Sequence, residues 1–234
     1  MRTLWLAPGF VMLAAACGDD GAMMMTAPPE VTVTGTATVR STSSGPLANV
    51  TIAAYRNGNE TTPLAMTTSN AAGNYTLVIP TGGQALDGYL KATLATYMDT
   101  YLYPPTIVDA DLDGASVNMI TPGTFDLLAN TLCNSGQETS MGAIAVVVID
   151  AAEMPVMGAT TASSPAASKV CYNATGAAGT IPSRNATATD ADGVAYMFNV
   201  TGQATVSAMK SGSTFLSHGV NARAGAFTTT LIQP

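Results

Sequence analysis

Few residues in this sequence have types and spacings that could do chemistry. Asp109, Asp111 and Asp113 alternate in Asp109-Ala110-Asp111-Leu112-Asp113-Gly114, the spacing with which a turn gathers three carboxylates around a hard cation such as calcium. The pattern is incomplete, because the ninth and twelfth positions of such a loop fall on Val117 and Ile120. An acidic, solvated loop turning at Asp113-Gly114 is the plainer reading. A second group is Tyr89, Tyr97, Tyr101 and Tyr103 in GYLKATLATYMDTYLYPP. On one uninterrupted strand these odd positions share a face, and Tyr97, Tyr101 and Tyr103 would form a row able to stack on glycan rings. The run is long for one strand, so a turn near Ala95-Thr96 would break the row. His218 is the single histidine, and no Gly-x-Ser-x-Gly elbow is present, so neither a zinc site nor a serine triad can be assembled from the usual parts. The chain is not expected to be an enzyme, and no cofactor other than calcium is suggested.

The cysteines divide into one and two. MRTLWLAPGFVMLAAACGDD has one base, Arg2, an apolar stretch from Leu4 to Ala16, then Cys17 and two acids. This is an export signal, too short to span a bilayer as a helix. Ala14, Ala15 and Ala16 before Cys17 resemble the lipobox of bacterial lipoproteins, in which the cysteine is lipidated and becomes the mature N-terminus. Leu13 lies four positions before the cysteine instead of the preferred three, and ordinary cleavage after Ala16 is the alternative. Gly18 after the cysteine, by the rule of that family, favours the outer membrane, with the protein facing the periplasm or the surface. Its partners are then the membrane, through the lipid (palmitate-type) anchor, and cell-surface proteins or glycans. In an oxidising compartment the remaining pair, Cys133 and Cys171, reads as a disulfide, two separate buried thiols being the alternative.

Positioning these residues falls to strands. The chain is 47% hydrophobic but 10% charged, with 39 Ala, 34 Thr and 22 Gly. Fifteen acids against eight bases give a net charge of −7, which argues against nucleic acid as a partner. Val31, Val33, Ala37 and Val39 alternate with polar residues, as do Val50, Ile52 and Ala54, and Tyr75, Leu77 and Ile79, the period of half-buried strands. Ile144 to Ile149 is a continuous apolar run, predicting a strand covered on both faces. Asn70-Ala-Ala-Gly73 and Asp190-Ala-Asp-Gly193 are expected to be hairpin turns. The best helical candidate is Phe125–Leu132, with Thr124 as N-cap. An internal repeat organises the whole: residues 67–83 align with 187–203 at an offset of 120, and Pro46 to Thr51 with Pro155 to Thr160 at an offset of 109. The difference implies an insertion in the second copy, placed between Thr161 and Ser183.

In each copy a Val-rich strand is followed by a Pro-Leu-Ala-Asn-Val-Thr-like segment, a Gly-x-Tyr-like turn and a Thr-Gly pair. This order resembles the carboxypeptidase regulatory-like domain, a transthyretin-like (prealbumin-like) sandwich; GPLANVTI and TTSNAAGNYTLVIPTG carry the likeness best, and Ala195 departs from it where the first copy has Tyr75. The resemblance implies a fold rather than an activity. The expectation is an all-β chain: signal peptide 1–16, lipidated Cys17 and flexible tether 17–30, then two tandem antiparallel Ig-like or transthyretin-like β-sandwiches over 31–132, with an extension at 104–132, and over 133–234. Its expected role is a non-catalytic, lipid-anchored spacer, scaffold or adhesion module of the cell envelope. A glycan- or calcium-binding surface lipoprotein is the alternative.

Overall fold

The computed structural model describes residues 26–40, 44–176 and 179–234. The expected signal peptide, Cys17 and the tether up to residue 25 lie outside these residues. The described chain is all-β apart from one short helical segment. Its first half contributes β1 (Glu30–Val39), β2 (Gly45–Pro46), β3 (Thr51–Arg56), β4 (Ala65–Thr68), β5 (Asn74–Pro80), β6 (Gly88–Thr93), β7 (Thr100–Tyr103) and β8 (Val117–Met119). The second contributes β9 (Gly142–Val148), β10 (Thr160–Ser164), β11 (Lys169–Gly176), β12 (Gly179–Ser183), β13 (Val194–Val200), β14 (Gly202–Met209), β15 (His218–Ala222) and β16 (Phe227–Ile232). Period-two burial follows the sequence pattern most strictly in β5, where Tyr75, Leu77 and Ile79 are buried and every other residue is exposed.

The halves share one wiring. In the first, β1 pairs antiparallel with β5 and parallel with β8, while β3 pairs with β6 and β6 with β7. In the second, β9 pairs antiparallel with β13 and parallel with β16, while β10 pairs with β14 and β14 with β15. Hydrogen bonds repeat down to single atoms. The Ser69 hydroxyl donates to Leu47 O and accepts from Val50 N–H, and the Thr189 hydroxyl donates to Val156 O and accepts from Ala159 N–H. Beyond β10, the counterpart of β3, the inserted stretch forms β11 and β12, which extend the sheet beyond β13.

One strand joins the halves. β16 lies between β9 and β7, parallel to both, so a single nine-stranded sheet runs β12-β11-β13-β9-β16-β7-β6-β3-β4. At one end the sheet packs against the four strands β1, β2, β5 and β8, enclosing Val31, Ile52, Leu77, Leu90 and Met119 among others. Towards the other end it packs against β10-β14-β15, enclosing Ile144, Val146, Val206, Val220 and Ile232. Opposite faces are used, because in β6 Leu90 points into the first core while its neighbour Tyr89 belongs to the second. The nine-stranded sheet thus runs across the expected boundary at 132/133. Ile144, Val146 and Val148 are buried in one core, while on the opposite face Ala145 and Val147 are only half-buried, so the continuous apolar run is fully covered on one face and partly on the other.

Two local expectations are corrected. The 70–73 turn connects strands of different sheets, and the 190–193 turn enters β13 from β12, which is not its neighbour. Neither closes a hairpin; both lead from one part of the architecture to another. The helix begins at Pro122, three residues before the expected start, and Thr121 rather than Thr124 is the N-cap, its hydroxyl accepting from Thr124 N–H at 3.2 Å. Pro122 has no N–H to satisfy and its fixed φ suits the first helical position. A π-type turn over Leu127–Leu132 continues the segment.

Candidate functional site

A cluster of interacting polar and aromatic side chains lies where β6 and β7 meet the second half. Tyr89 in β6 and Tyr101 and Tyr103 in β7 point to the same face, and Tyr55 of β3 stacks on Tyr89 with ring centres 5.5 Å apart. Tyr89 stacks in turn on Tyr103 at 5.1 Å and tilts against Tyr101 at 5.8 Å. Arg223, between β15 and β16, lays its guanidinium 4.0 Å from the Tyr101 ring centre and 4.5 Å from that of Tyr89. It donates to the Tyr103 hydroxyl at 3.0 Å and pairs with Glu60 at 2.6 Å, and Glu60 also accepts from the Asn221 side chain. A cation held over π faces and tied to a carboxylate is favourable when partly desolvated. Burial pushes Tyr89 up to about 12, with Arg223 drawing it down and Glu60 raising it. Burial also works against the charge of Arg223, yet the Tyr103 hydrogen bond and Glu60 outweigh it, so its pKa stands above the ordinary value.

This arrangement overturns the sugar-stacking row. Tyr97 lies in the turn at 95–97, where Thr96 adopts φ 71°, and packs against the first core. Tyr101 and Tyr103 face the other way, are 8% and 3% exposed, and have Arg223 against them. The rings face inward because β16 and the second half close over β7, which the local sequence does not announce. Arg223, Glu60 and Tyr55 were not singled out from sequence: nothing in their spacing marks residues that meet only across the two halves.

The three aspartates do not converge. Residues 111–119 run beside β1: Leu112 N–H donates to Thr32 O, Thr34 N–H to Leu112 O and Ala115 N–H to Thr34 O. Asp111 accepts from Thr32 N–H at 2.7 Å and Asp113 from the Thr34 hydroxyl at 2.6 Å. The segment is drawn out along a strand instead of wrapped around an ion. Among the described residues no three acidic, histidine or cysteine side chains gather as a metal site requires. His218 makes a 2.6 Å hydrogen bond with the Thr230 hydroxyl, and burial holds its pKa below the ordinary value.

Cys133 and Cys171 form a disulfide, with Cα atoms 5.7 Å apart. It ties the end of the helical segment to β11 within a core cluster that includes Phe125, Phe198 and Phe227. No helix among the described residues is long and apolar enough to cross a membrane.

No protein-family model matches the chain, and no curated protein matches it. Solved structures that overlap it include a shaft pilin of Lactobacillus rhamnosus GG, 12% identical over 88% of this chain and 98% of that one, with a TM-score of 0.27. The minor pilin of Streptococcus agalactiae is 12% identical over 87% of this chain and 94% of that one, with a TM-score of 0.28. The Bacillus anthracis TIE protein is 11% identical over 87% of this chain, which spans 34% of its length, with a TM-score of 0.26. Superpositions this loose do not establish a common arrangement, and no role is transferred from them.

Proposed function

We propose that the chain is a non-catalytic, lipid-anchored protein of the bacterial cell envelope, made of two carboxypeptidase regulatory-like (transthyretin-like) sandwiches and working as a structural spacer or adhesion module. The observation that carries this reading is the junction. Strand β16 completes the sheet of the other half, and Arg223 closes over Tyr89 and Tyr101 beside it. A module that must hold a fixed separation or orientation from a membrane needs its parts joined rigidly, and here backbone hydrogen bonds and a shared core do so. The non-catalytic part is supported by the engagement of His218 with Thr230 and of Asp111 and Asp113 with β1. The anchor rests on the lipobox-like residues before Cys17.

Metabolic labelling with an alkyne fatty acid tests the anchor: the wild type takes the tag and Cys17→Ser loses it. An untagged wild type sinks the anchored reading. Protease shaving of intact cells then reports whether the sandwiches face outward.

A further inference from the structure

The first sandwich is not filled. Between its two sheets, at the end where the 104–116 segment replaces a regular strand, lies a cavity of about 270 Å³. Val33, Ile79, Leu86, Leu90, Val108 and Leu112 are among its aliphatic walls. Protein cores pack to the density of organic crystals, so an apolar opening of this size reads as a place for an apolar molecule. The sequence explains why it stays open. Small Ala54, Gly88 and Ala115 line it, and the closing strand β8 is three residues long. Its counterpart β16 has six residues and is paired on both sides.

The cavity leads out. Leu102, Ser116, Asn118 and Leu231 line it and also line an adjoining groove of about 120 Å³ over β16, β9 and β13. That groove includes Ala145 and Val147, and its charged member is Arg40. Arg40 donates to the Tyr196 hydroxyl at 3.3 Å. The charged residue on the chamber wall, Asp113, is held by the Thr34 hydroxyl, and a mostly apolar chamber opening into a channel with the Arg40 cation along it has the polarity of an anionic amphiphile, in a chain whose net charge is −7.

We infer that the first sandwich binds one anionic amphiphile, a carboxylate-headed aliphatic chain, with the tail between the sheets and the head at Arg40. An extended peptide added to the free edge of β8 would lie in the groove but leave the chamber empty, which favours the chain-like ligand. The inference rests on the chamber and Arg40, independently of the anchor at Cys17.

The test is titration of the full-length protein, monitored by calorimetry and native mass spectrometry, with octanoate, decanoate and dodecanoate, and with dodecanol and acetate as controls. One molecule is expected to bind, with affinity rising roughly 3- to 4-fold per added methylene until the chamber is full. Dodecanol should bind about tenfold more weakly than dodecanoate, and Arg40→Ala should remove that difference while keeping the chain-length trend. Val108→Trp, which fills the rim of the chamber, should abolish binding of both. Because that variant carries the risk of misfolding, its melting temperature is measured alongside, and Leu112→Phe serves as a second, milder filling. No saturable binding by the wild type, no dependence on chain length, or unchanged binding in filled variants that melt like the wild type would each overturn the inference. So would capture of an extended peptide that dodecanoate does not displace.

Discussion

Tyr89 and its neighbours illustrate how a residue's role is decided by what closes over it. As a strand residue beside Tyr101 and Tyr103 it has a ring suited to stacking on a ligand; in the fold its ring meets Tyr55, Tyr103 and the Arg223 guanidinium instead. Burial has a consequence in alkaline solution. Tyr89 titrates near 12 when folded, Tyr103 is also raised, and Tyr75, whose hydroxyl donates to Ala115 O, is raised by burial as well. An unfolded tyrosine ionises near 10, so between the two values the unfolded state alone gives up the proton. Stability from these residues is complete below pH 10 and is lost as pH rises towards 12. Ultraviolet phenolate titration should show a late-ionising fraction that disappears in denaturant, and the melting temperature should fall over that window. Simultaneous ionisation of all tyrosines near 10 in the native protein would contradict this.

At the scale of elements, the two copies of one turn explain why glycine stands at both Gly73 and Gly193. Gly73 has φ 77° and Gly193 φ 68°. A Cβ at Gly73 would come within 2.6 Å of Ala37 O and 3.1 Å of the Pro46 side chain; at Gly193 it would come within 2.5 Å of Val148 O and 3.2 Å of Pro155. Each glycine therefore combines a left-handed backbone with close approach to the strand it crosses. Asn70 supports its turn by accepting from Ala72 and Asn74 N–H, and Asp190 accepts from Ala191 and Thr175 N–H. Gly73→Ala and Gly193→Ala should each destabilise the protein by more than about 1 kcal/mol. Gly58→Ala, which also has positive φ but no atom within 4 Å of an added Cβ, should cost less. Urea denaturation of the three variants checks the order, and equal losses would show that backbone strain alone, without the close approach, sets the cost.

For the whole molecule, the nine-stranded sheet predicts cooperativity. Breaking β16 from β7 would expose Tyr89, Tyr101 and Tyr103, which belong to the core of the other half, and leave the edges of both strands unpaired. The described part of the chain should unfold in one calorimetric transition, with calorimetric and van't Hoff enthalpies in agreement. Two resolved transitions would mean that the halves are energetically separate despite the shared sheet.

Much of the architecture was legible because its causes are local. Alternation in β5, the continuous apolar run of β9, the paired turns with their glycines and the offsets of 120 and 109 each depend on neighbouring residues, and strand period and turn chemistry act at that range. Hydrophobic alternation says which residues face inward, but it is silent on which edge a strand joins. That limit accounts for β16, whose Phe227–Ile232 pattern suits any edge and which pairs with β7 of the other half. It accounts equally for Asp109 to Asp113, whose spacing fits an ion until a neighbouring strand supplies donors to two of them. Local pattern alone fixes an all-β chain with two like halves and offers Cys133 and Cys171 as a pair, without bringing them within reach of a bond. It took the tertiary structure to bring Cys133 to Cys171, to join the halves in one sheet, to lay Arg223 over the tyrosines and to leave an opening in the first sandwich, because each depends on which surfaces meet across long sequence separations.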